Sequence, residues 1–337
     1  MTIINGQEVN EQVLDEMERT KWSRTWKTFL KDWRLYALLV PLLVFMFLFK
    51  YLPLKGLLMA FKSYNSSVDV LDMDWQGYFF MKNLFNDATF WRAFRNTFVN
   101  SMYGLIFGFP IPIMLALMFS EINSNGYRSV LQVCSYLPKF MSTVVITTVL
   151  TIWSRNVIGT TSTIQGLLTK VYINLGWMSE TEKILEEVRF FRPLYQVSGV
   201  WEGAGYGSIV YFAAVLAISP TSYEAARMDG ANKLQQIRYV TIPGMAPTLS
   251  IMLITRIGHA LNIGYEKVML LYTPANYETA DVISTFVTRM RSGENGGAVT
   301  TNYPLGIAAD LMNSIIAMAL VLGANTISRK VSDTSLF

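Results

Sequence analysis

The stretch EAARMDGANKLQQIRYVTIPG, residues 224–244, is a polar segment between two long apolar segments. It is preceded by Ser219, Pro220 and Thr221, which are helix-starting residues, because Ser and Thr cap helices and Pro suits the first helical position. Thr221 and Glu224 also have the spacing of a capping box. The sequence therefore predicts a helix that begins near Pro220.

A glycine and a proline punctuate this stretch. Gly230 permits a bend at low cost, and Pro243 disfavours continuation of a second short helix, over 231–240, as one straight rod. Two short helices joined at a glycine, with small side chains at Ala225 and Ala226, suit close approach by another protein surface. Charged contacts for such a surface are available at Glu224, Arg227, Asp229 and Arg238. The alternative is a helical hairpin with no partner.

The composition of the whole chain indicates a membrane protein. Of its 337 residues, 52% are hydrophobic and only 15% are charged, unlike a soluble globular domain. A helix needs about 20 mostly apolar residues to cross the hydrocarbon core. Six segments meet that condition, approximately 35–54, 96–120, 129–154, 197–218, 245–272 and 303–327. The sequence therefore predicts an all-α membrane protein with six transmembrane helices and no second domain.

The predicted membrane domain, 35–328, is flanked by an N-terminal segment, 1–34, and a C-terminal tail, 329–337. The N-terminus is polar and acidic, unlike a cleavable signal peptide, so we expect it to be retained. RTKWSRTWKTFLKDWR, residues 19–34, has aromatic residues at helical spacing and basic residues largely off that stripe. This pattern favours an amphipathic helix in the membrane interface over one packed on protein.

Six crossings place both termini on the same side of the membrane. Lys and Arg are divided almost evenly between the two sets of loops, so the positive-inside rule does not set the side by itself. The dense basic cluster before the first span favours a cytoplasmic N-terminus.

Several classes of function are disfavoured by what the chain lacks. Cys134 is the one cysteine and His259 the one histidine, which excludes an intrachain disulfide, a thiolate metal cluster and a histidine-based metal site. The chain contains no G-x-x-x-x-G-K-[ST] phosphate loop, and GYGSI around Ser208 is not a nucleophile elbow. A net charge of +4 is too small to indicate nucleic acid. We expect no enzymatic activity and no metal or cofactor in this chain.

The stretch 224–244 resembles the EAA loop of ABC importer permeases, whose pattern is Glu-Ala-Ala, three residues, Gly, nine residues, Ile, one residue, Leu-Pro. The matching residues are Glu224, Ala225, Ala226, Gly230 and Pro243, with Val240 in place of Ile and Ile242 in place of Leu. Other segments resemble permeases of the polysaccharide and oligosaccharide uptake group (LplB/YteP-like). They are PLKGLLMAFKSYN, FWRAFRNTFVNSMYGLIFGFPIPIMLALMFSEI, SYLPKF, FFRPLYQVSGVWEGAGYGSIVYFAAV and YETADVISTFVTRM.

The resemblance implies a type I ABC importer permease (MetI-like) fold with both termini in the cytoplasm. It implies a multi-pass subunit of the bacterial cytoplasmic membrane that imports oligosaccharides from polysaccharide breakdown, with acidic sugars among the candidates. The implied partners are membrane lipid, a second homologous permease, two ATP-binding subunits that hold ATP and Mg²⁺, and an extracellular solute-binding protein. The loop 219–244 would dock on an ATP-binding subunit through Glu224, Ala225, Ala226, Asp229, Gly230 and Pro243.

Polar and aromatic residues inside the fourth and fifth spans are candidate substrate contacts, because hydrocarbon penalises them. At about 1.5 Å of rise per residue, both groups reach the middle or outer half of the membrane from the loop 224–244. We therefore expect them to face one cavity. The candidates are Trp201, Glu202, Gly203 and Tyr206 on the fourth span, and Arg256, His259, Asn262 and Tyr265 on the fifth.

Each of these residues also has a structural interpretation. Arg256 can bind a sugar carboxylate or form an ion pair with Asp310 or Glu266. His259 can serve in helix packing, and Trp201 and Tyr206 can be interface anchors. The rival function is a proton-coupled secondary transporter with a proton on Glu202, Glu266 or Asp310, but it leaves the EAA pattern unexplained.

Overall fold

The computed structural model describes residues 2–4, 7–9, 28, 31–158, 163–295, 298–299 and 301–331. The chain has two compact units, Met1–Leu58 with Ser66–Met73 and Met59–Asn65 with Asp74–Phe337, where the sequence predicted one membrane domain. Most of the amphipathic helix predicted at 19–34, and the tail beyond 331, lie outside the described residues.

The first unit contains a short hairpin and the start of the first apolar helix. Strand β1 (Thr2–Ile4) pairs antiparallel with β2 (Gln7–Val9), a hairpin that the sequence did not predict. Helix α1 (Trp33–Met46) continues through a π-type turn, Phe47–Tyr51, and a 3₁₀ segment that starts at Leu52. None of the α1 residues is buried.

The second unit is mainly helical. The 3₁₀ segment that began in the first unit ends here at Phe61, and a further 3₁₀ turn spans Leu137–Phe140. The helices are α2 (Phe79–Asn86), α3 (Ala88–Gly108), α4 (Pro110–Ser120), α5 (Asn125–Tyr136), α6 (Thr143–Trp153), α7 (Leu167–Asn174), α8 (Val188–Leu216), α9 (Pro220–Met228), α10 (Lys233–Gln236), α11 (Ile242–His259), α12 (Tyr265–Leu271), α13 (Tyr277–Ala280), α14 (Ile283–Ser292) and α15 (Tyr303–Val331). Two antiparallel hairpins complete it, β3 (Asn156–Ile158) with β4 (Thr163–Gln165) and β5 (Glu294–Asn295) with β6 (Ala298–Val299).

Among the described residues, four helices have the length and hydropathy to cross a membrane, and six spans result if each of two bent pairs counts as one. The four are Trp33–Phe61, Ala88–Ser120, Lys233–His259 and Tyr303–Arg329. The second of them is preceded by the N-cap residue Asp87, whose side chain accepts from the main-chain N–H of Thr89 at 2.8 Å.

The third predicted span is not one straight helix. Within 129–154 the chain bends by 95° between the helix that ends at Phe140 and α6. Pro138 lies in the 3₁₀ turn before the bend, and Ser142 restarts the helix by accepting from the main-chain N–H of Val144 at 3.3 Å. A hydropathy window averages over both limbs, so it contains no information about such a bend.

The polar stretch 224–244 forms two helices that meet at a glycine, as the sequence predicts. α9 leaves α8 at 69°, and Gly230 has a φ of 79°, a left-handed conformation that favours glycine. The predicted capping box of Thr221 and Glu224 is not formed, since no side chain caps α9 and the Thr221 hydroxyl lies 2.7 Å from that of Ser219. The capping box lies instead at α10, between Asn232 and Gln235.

Pro243, which the sequence predicted would discourage the second short helix from continuing as one straight rod, does not end that helix. α10 runs through a π-type turn, Ile237–Thr241, into α11 as one continuous helix, Lys233–His259. Proline has no N–H to donate to the preceding turn of a helix. The π-type turn before Pro243 changes the hydrogen-bond register at this point, and the helix continues through the proline. The fifth span also ends earlier than the predicted 272, because the helix stops at His259 and α12 begins only at Tyr265.

Three apolar clusters hold the second unit together. One joins α2, α3, α14 and α15 around Phe90 and Phe286; a second joins α8 to α12 and α13 around Phe191 and Val268. The third joins α4, α8 and α11, and the fully buried Met245 lies in it. α8 thus contributes to two clusters, and its side chains can position neighbours on both sides.

A fully buried carboxylate fixes the segment that follows α12. Asp281 bonds Arg289 at 2.6 Å and Arg92 at 3.3 Å, and it also accepts from the Thr285 hydroxyl at 2.8 Å. Burial by itself would lower the pKa of Arg289, but the hydrogen bonds and charge of Asp281 outweigh it and raise that pKa. The network anchors α14 to α3.

Candidate functional site

α3 carries a row of small and polar residues at every fourth position, namely Asn96, Asn100, Gly104 and Gly108. Residues at this spacing share one helix face. From α8, Arg192 Nη2 donates to Asn96 Oδ1 at 2.9 Å, and Gln196 Nε2 donates to the main-chain oxygen of Asn100 at 2.8 Å. The row therefore forms a polar seam between the two helices.

A cavity of about 290 Å³ lies at the end of this seam, where α3 and α8 meet the end of α11. Three predicted substrate residues, Arg256, His259 and Asn262, line it together. Asn100 and Gln196 line it from the other side. The cavity thus combines a guanidinium, an imidazole and amide groups, which suits a ligand rich in hydroxyl or carboxylate oxygens.

Arg256 forms neither of the ion pairs considered from the sequence. Its Nη2 donates to the main-chain oxygen of Gly104 at 3.1 Å, while Asp310 pairs with Arg291 at 2.9 Å. The guanidinium also lies so close to Gly108 that a Cβ at that position would overlap Nη2. The glycine makes room for the guanidinium beside the cavity.

The predicted residues of α8 are not part of this cavity's lining, so the expectation of one shared cavity is wrong in that respect. Glu202 instead joins a cluster of charges from three elements. It accepts from Lys267 of α12 at 3.2 Å and lies 3.6 Å from Lys139 of the 3₁₀ turn. The α8 residues that do line the cavity are Tyr195 and Gln196.

Tyr206 packs against the same 3₁₀ turn. Its ring lies edge-on to that of Phe140, with centroids 6.0 Å apart. Gly203, in the same turn of α8, has open space where a side chain would stand. Trp201 and Tyr265 are exposed in the structure.

Tyr195 is a common neighbour of the cavity lined by Arg256 and of the charge cluster around Glu202. This residue lines the Arg256 cavity, and its ring lies 5.7 Å from the ammonium of Lys267. Sequence reasoning did not select Tyr195, Lys139 or Lys267 as site residues. Lys139 carried a signal, since it is a charge within a predicted span, but its partner Glu202 is 63 residues away in the sequence (202 minus 139).

The stretch 224–244 presents an exposed surface. Of the predicted coupling residues, Glu224, Ala225, Asp229, Gly230 and Pro243 are exposed and Ala226 is half-buried. Exposed apolar side chains stand among them, at Met228, Leu234 and Tyr239, and Met228 is 88% exposed. Lys233 also bonds Glu121, at the end of α4, at 2.5 Å. Apolar side chains exposed on a polar loop are typical of a surface that binds another protein.

The folded helices, the polar seam and the exposed loop define a membrane permease subunit. The chain belongs to the family described as binding-protein-dependent transport system inner membrane component, whose model matches residues 108–331. The resemblance to ABC importer permeases of the LplB/YteP-like group is confirmed.

Relatives and solved structures agree with this family. The polygalacturonan/rhamnogalacturonan transport system permease protein YteP of Bacillus subtilis (strain 168) is 31% identical over 303 residues, which are 90% of this chain and 90% of that protein. A bacterial ABC transporter involved in the import of the acidic polysaccharide alginate contains a chain that is 38% identical, with a TM-score of 0.79 over 92% of this chain and 99% of that one. A second structure, of a bacterial alginate ABC transporter in complex with an alginate pentasaccharide-bound periplasmic protein, gives 38% identity and a TM-score of 0.80 over 93% and 100% of the chains. The chain therefore has the helical fold of ABC importer permeases.

Proposed function

We propose that this chain is the membrane permease of an ATP-driven importer that moves oligosaccharides into the cytoplasm by alternating access. The observation that carries the proposal is the continuous helix Lys233–His259, which joins the exposed loop at one end to Arg256 and His259 at the other. A displacement of the loop is thereby transmitted to the cavity by a rigid element.

The proposed topology has six spans with both termini in the cytoplasm. The four long helices would provide six crossings together with the two bent pairs, with each bent pair counted as one span. This topology puts 219–244 on the cytoplasmic side, where an ATP-binding subunit can contact it. It also puts the hairpin of β3 and β4, and the segment held by Asp281, outside the membrane.

Coupling to ATP hydrolysis is assigned to the exposed loop. Glu224, Asp229 and the small residues Ala225 and Ala226 would contact an ATP-binding subunit, with Gly230 setting the angle between the two helices and Pro243 following the π-type turn. The Lys233–Glu121 bond would carry the same movement to α4. ATP and Mg²⁺ are assigned to the ATP-binding subunits, and no cofactor to this chain.

The substrate is proposed to be an oligosaccharide from polysaccharide breakdown, with acidic sugars included. Asn100, Gln196 and Asn262 in the cavity suit hydroxyl groups, and Arg256 suits a carboxylate. The names of the relatives support this class, since they concern polygalacturonan, rhamnogalacturonan and alginate. Trp201, Glu202, Gly203, Tyr206, His259 and Tyr265 remain proposed contacts along the path.

The proposed assembly contains a second homologous permease, two ATP-binding subunits and an extracellular solute-binding protein in the bacterial cytoplasmic membrane. The complex of the alginate transporter with its periplasmic protein supports the last of these partners. We propose no nucleic-acid partner. The long exposed faces of α1 would be covered by lipid or by the second permease.

The decisive test is the energy source for uptake. In cells or proteoliposomes that contain the whole complex, oligosaccharide uptake is expected to stop on ATP depletion and to survive a protonophore while ATP is maintained. The opposite result would support the proton-coupled rival. Two of the carboxylates that the rival needs as proton carriers are held in ion pairs instead, Glu202 with Lys267 and Asp310 with Arg291.

A further inference from the structure

We propose that Lys139 is a carboxylate-binding subsite for acidic sugar units, placed beside the aromatic pair of Phe140 and Tyr206. The inference rests on the proposed import of oligosaccharides and adds to it a residue that selects for charge. The subsite is separate from the Arg256 cavity, whose lining does not include Lys139.

The charges of this cluster do not balance. Two lysines, Lys139 and Lys267, share one carboxylate, Glu202, which leaves a net charge of about +1 if all three are ionised. Unbalanced charge within a membrane segment is costly, and its occurrence there marks a functional group. An anionic ligand supplies the missing charge.

The two lysines share Glu202 unequally. Lys267 bonds it at 3.2 Å and has a side chain only 11% exposed, so this pair is shielded and stays together. Lys139 lies further away, at 3.6 Å, and its side chain is 47% exposed. Lys139 is therefore the member of the cluster that can turn to an incoming carboxylate without leaving Glu202 unpaired.

An aromatic surface adjoins Lys139. Phe140 follows Lys139 in the sequence and is 75% exposed, and its ring lies edge-on to Tyr206. Aromatic side chains bind apolar surface, and the C–H face of a pyranose is such a surface. Gly203, in the same turn of α8 as Tyr206, leaves open space where a side chain would stand. A sugar ring against the aromatic pair would place an acidic substituent within reach of Lys139.

The test compares substitutions of Lys139 in the complete transporter, reconstituted with its binding protein in nanodiscs of uncharged lipid and assayed by binding-protein-dependent ATPase activity. The substrates are oligouronates and neutral oligosaccharides of the same length. Lys139→Gln is expected to lower stimulation by oligouronates about tenfold, the loss typical of one charge-assisted hydrogen bond. Lys139→Arg is expected to retain most of the stimulation, because it keeps the charge. Lys183→Gln, which removes a lysine from an ion pair with Glu186, is the control and is expected to have no effect.

Each other outcome has a definite meaning. Unchanged stimulation by oligouronates in Lys139→Gln, or an equal loss with neutral sugars, overturns the subsite. Wild-type stimulation by neutral sugars alone also overturns it but leaves the import function intact, whereas no stimulation by any oligosaccharide refutes the import function itself. A loss that occurs only when anionic lipid is added would assign Lys139 to lipid headgroups and equally overturn the proposal.

Discussion

The main-chain oxygen of Gly104 accepts a hydrogen bond of 3.1 Å from Nη2 of Arg256 and so connects the second and fifth spans. Arg256 has other guanidinium donors, which remain for the cavity that it lines with His259. One bond to a carbonyl, rather than an ion pair, positions the charge without neutralising it. This arrangement is suited to an anionic or hydroxyl-rich ligand.

A methyl group at position 108 is expected to lower transport as much as removal of the Arg256 guanidinium does. A Cβ there would overlap Nη2 of Arg256, so Gly108→Ala should displace the guanidinium and lower oligosaccharide uptake about tenfold, as should Arg256→Gln. The measurement is oligosaccharide uptake by proteoliposomes that contain the full complex with either variant. Gly207→Ala, on α8, is the matched control, because its Cβ would meet only Pro112 at an ordinary 3.5 Å. Normal uptake in Gly108→Ala would contradict the assignment.

Gly205 allows α8 to approach α5. A Cβ at this position would overlap the main-chain oxygen of Ser135, and a backbone atom cannot move aside as a flexible side chain can. Gly205→Ala is therefore expected to destabilise the protein by about 1–3 kcal/mol, the usual cost of overpacking. Thermal unfolding of the purified complex checks this. Gly203→Ala, on the same helix with open space around it, should leave the melting temperature nearly unchanged; equal shifts for both would exclude a packing origin.

Removal of the charge of Asp281 is expected to be costly. Asp281→Asn would leave Arg289 and Arg92 without their buried counter-ion, and a broken buried pair typically costs about 3–5 kcal/mol. Glu186→Gln breaks the exposed pair with Lys183 and should cost less than about 1 kcal/mol. Chemical or thermal denaturation measures the loss of stability in each of the two variants. A small effect of Asp281→Asn would mean that the network does not anchor the segment.

Valine at Gly230 is expected to uncouple transport. Gly230 and Gly176 both have left-handed φ angles, 79° and 70°, and both have open space around them, so valine imposes similar backbone strain at each. Only Gly230→Val should abolish uptake while the protein stays inserted, because only that position sets the angle of the proposed docking loop. Glu224→Lys should do the same. Equal uptake by the Gly230 and Gly176 variants would refute the coupling role.

The sequence predicted the helical class, the loop and its glycine because those features are local. Apolar segments of sufficient length and a positive φ at Gly230 depend on nearby residues alone. The 95° bend before α6 and the continuity through Pro243 were not predicted, because they depend on how the limbs pack and on a π-type turn that composition does not encode.

The candidate site was predicted only in part for a similar reason. Arg256, His259 and Asn262 are near one another in sequence, and the structure places them at one cavity. Glu202 was predicted to face the same cavity from a count of helix rise. Such a count gives the depth of a residue in the membrane but not the direction in which its side chain leaves the helix. Its partners Lys139 and Lys267 lie on other elements, and only the tertiary fold brings those charges together.

The central claim is tested most directly by the ATPase activity of the reconstituted complex, with its binding protein, across a panel of neutral and uronic-acid oligosaccharides. The proposed function predicts stimulation by at least one class of oligosaccharide and its loss in Glu224→Lys. Absence of any associated ATPase, or activity that no oligosaccharide changes, would contradict the assignment of this chain as an oligosaccharide permease.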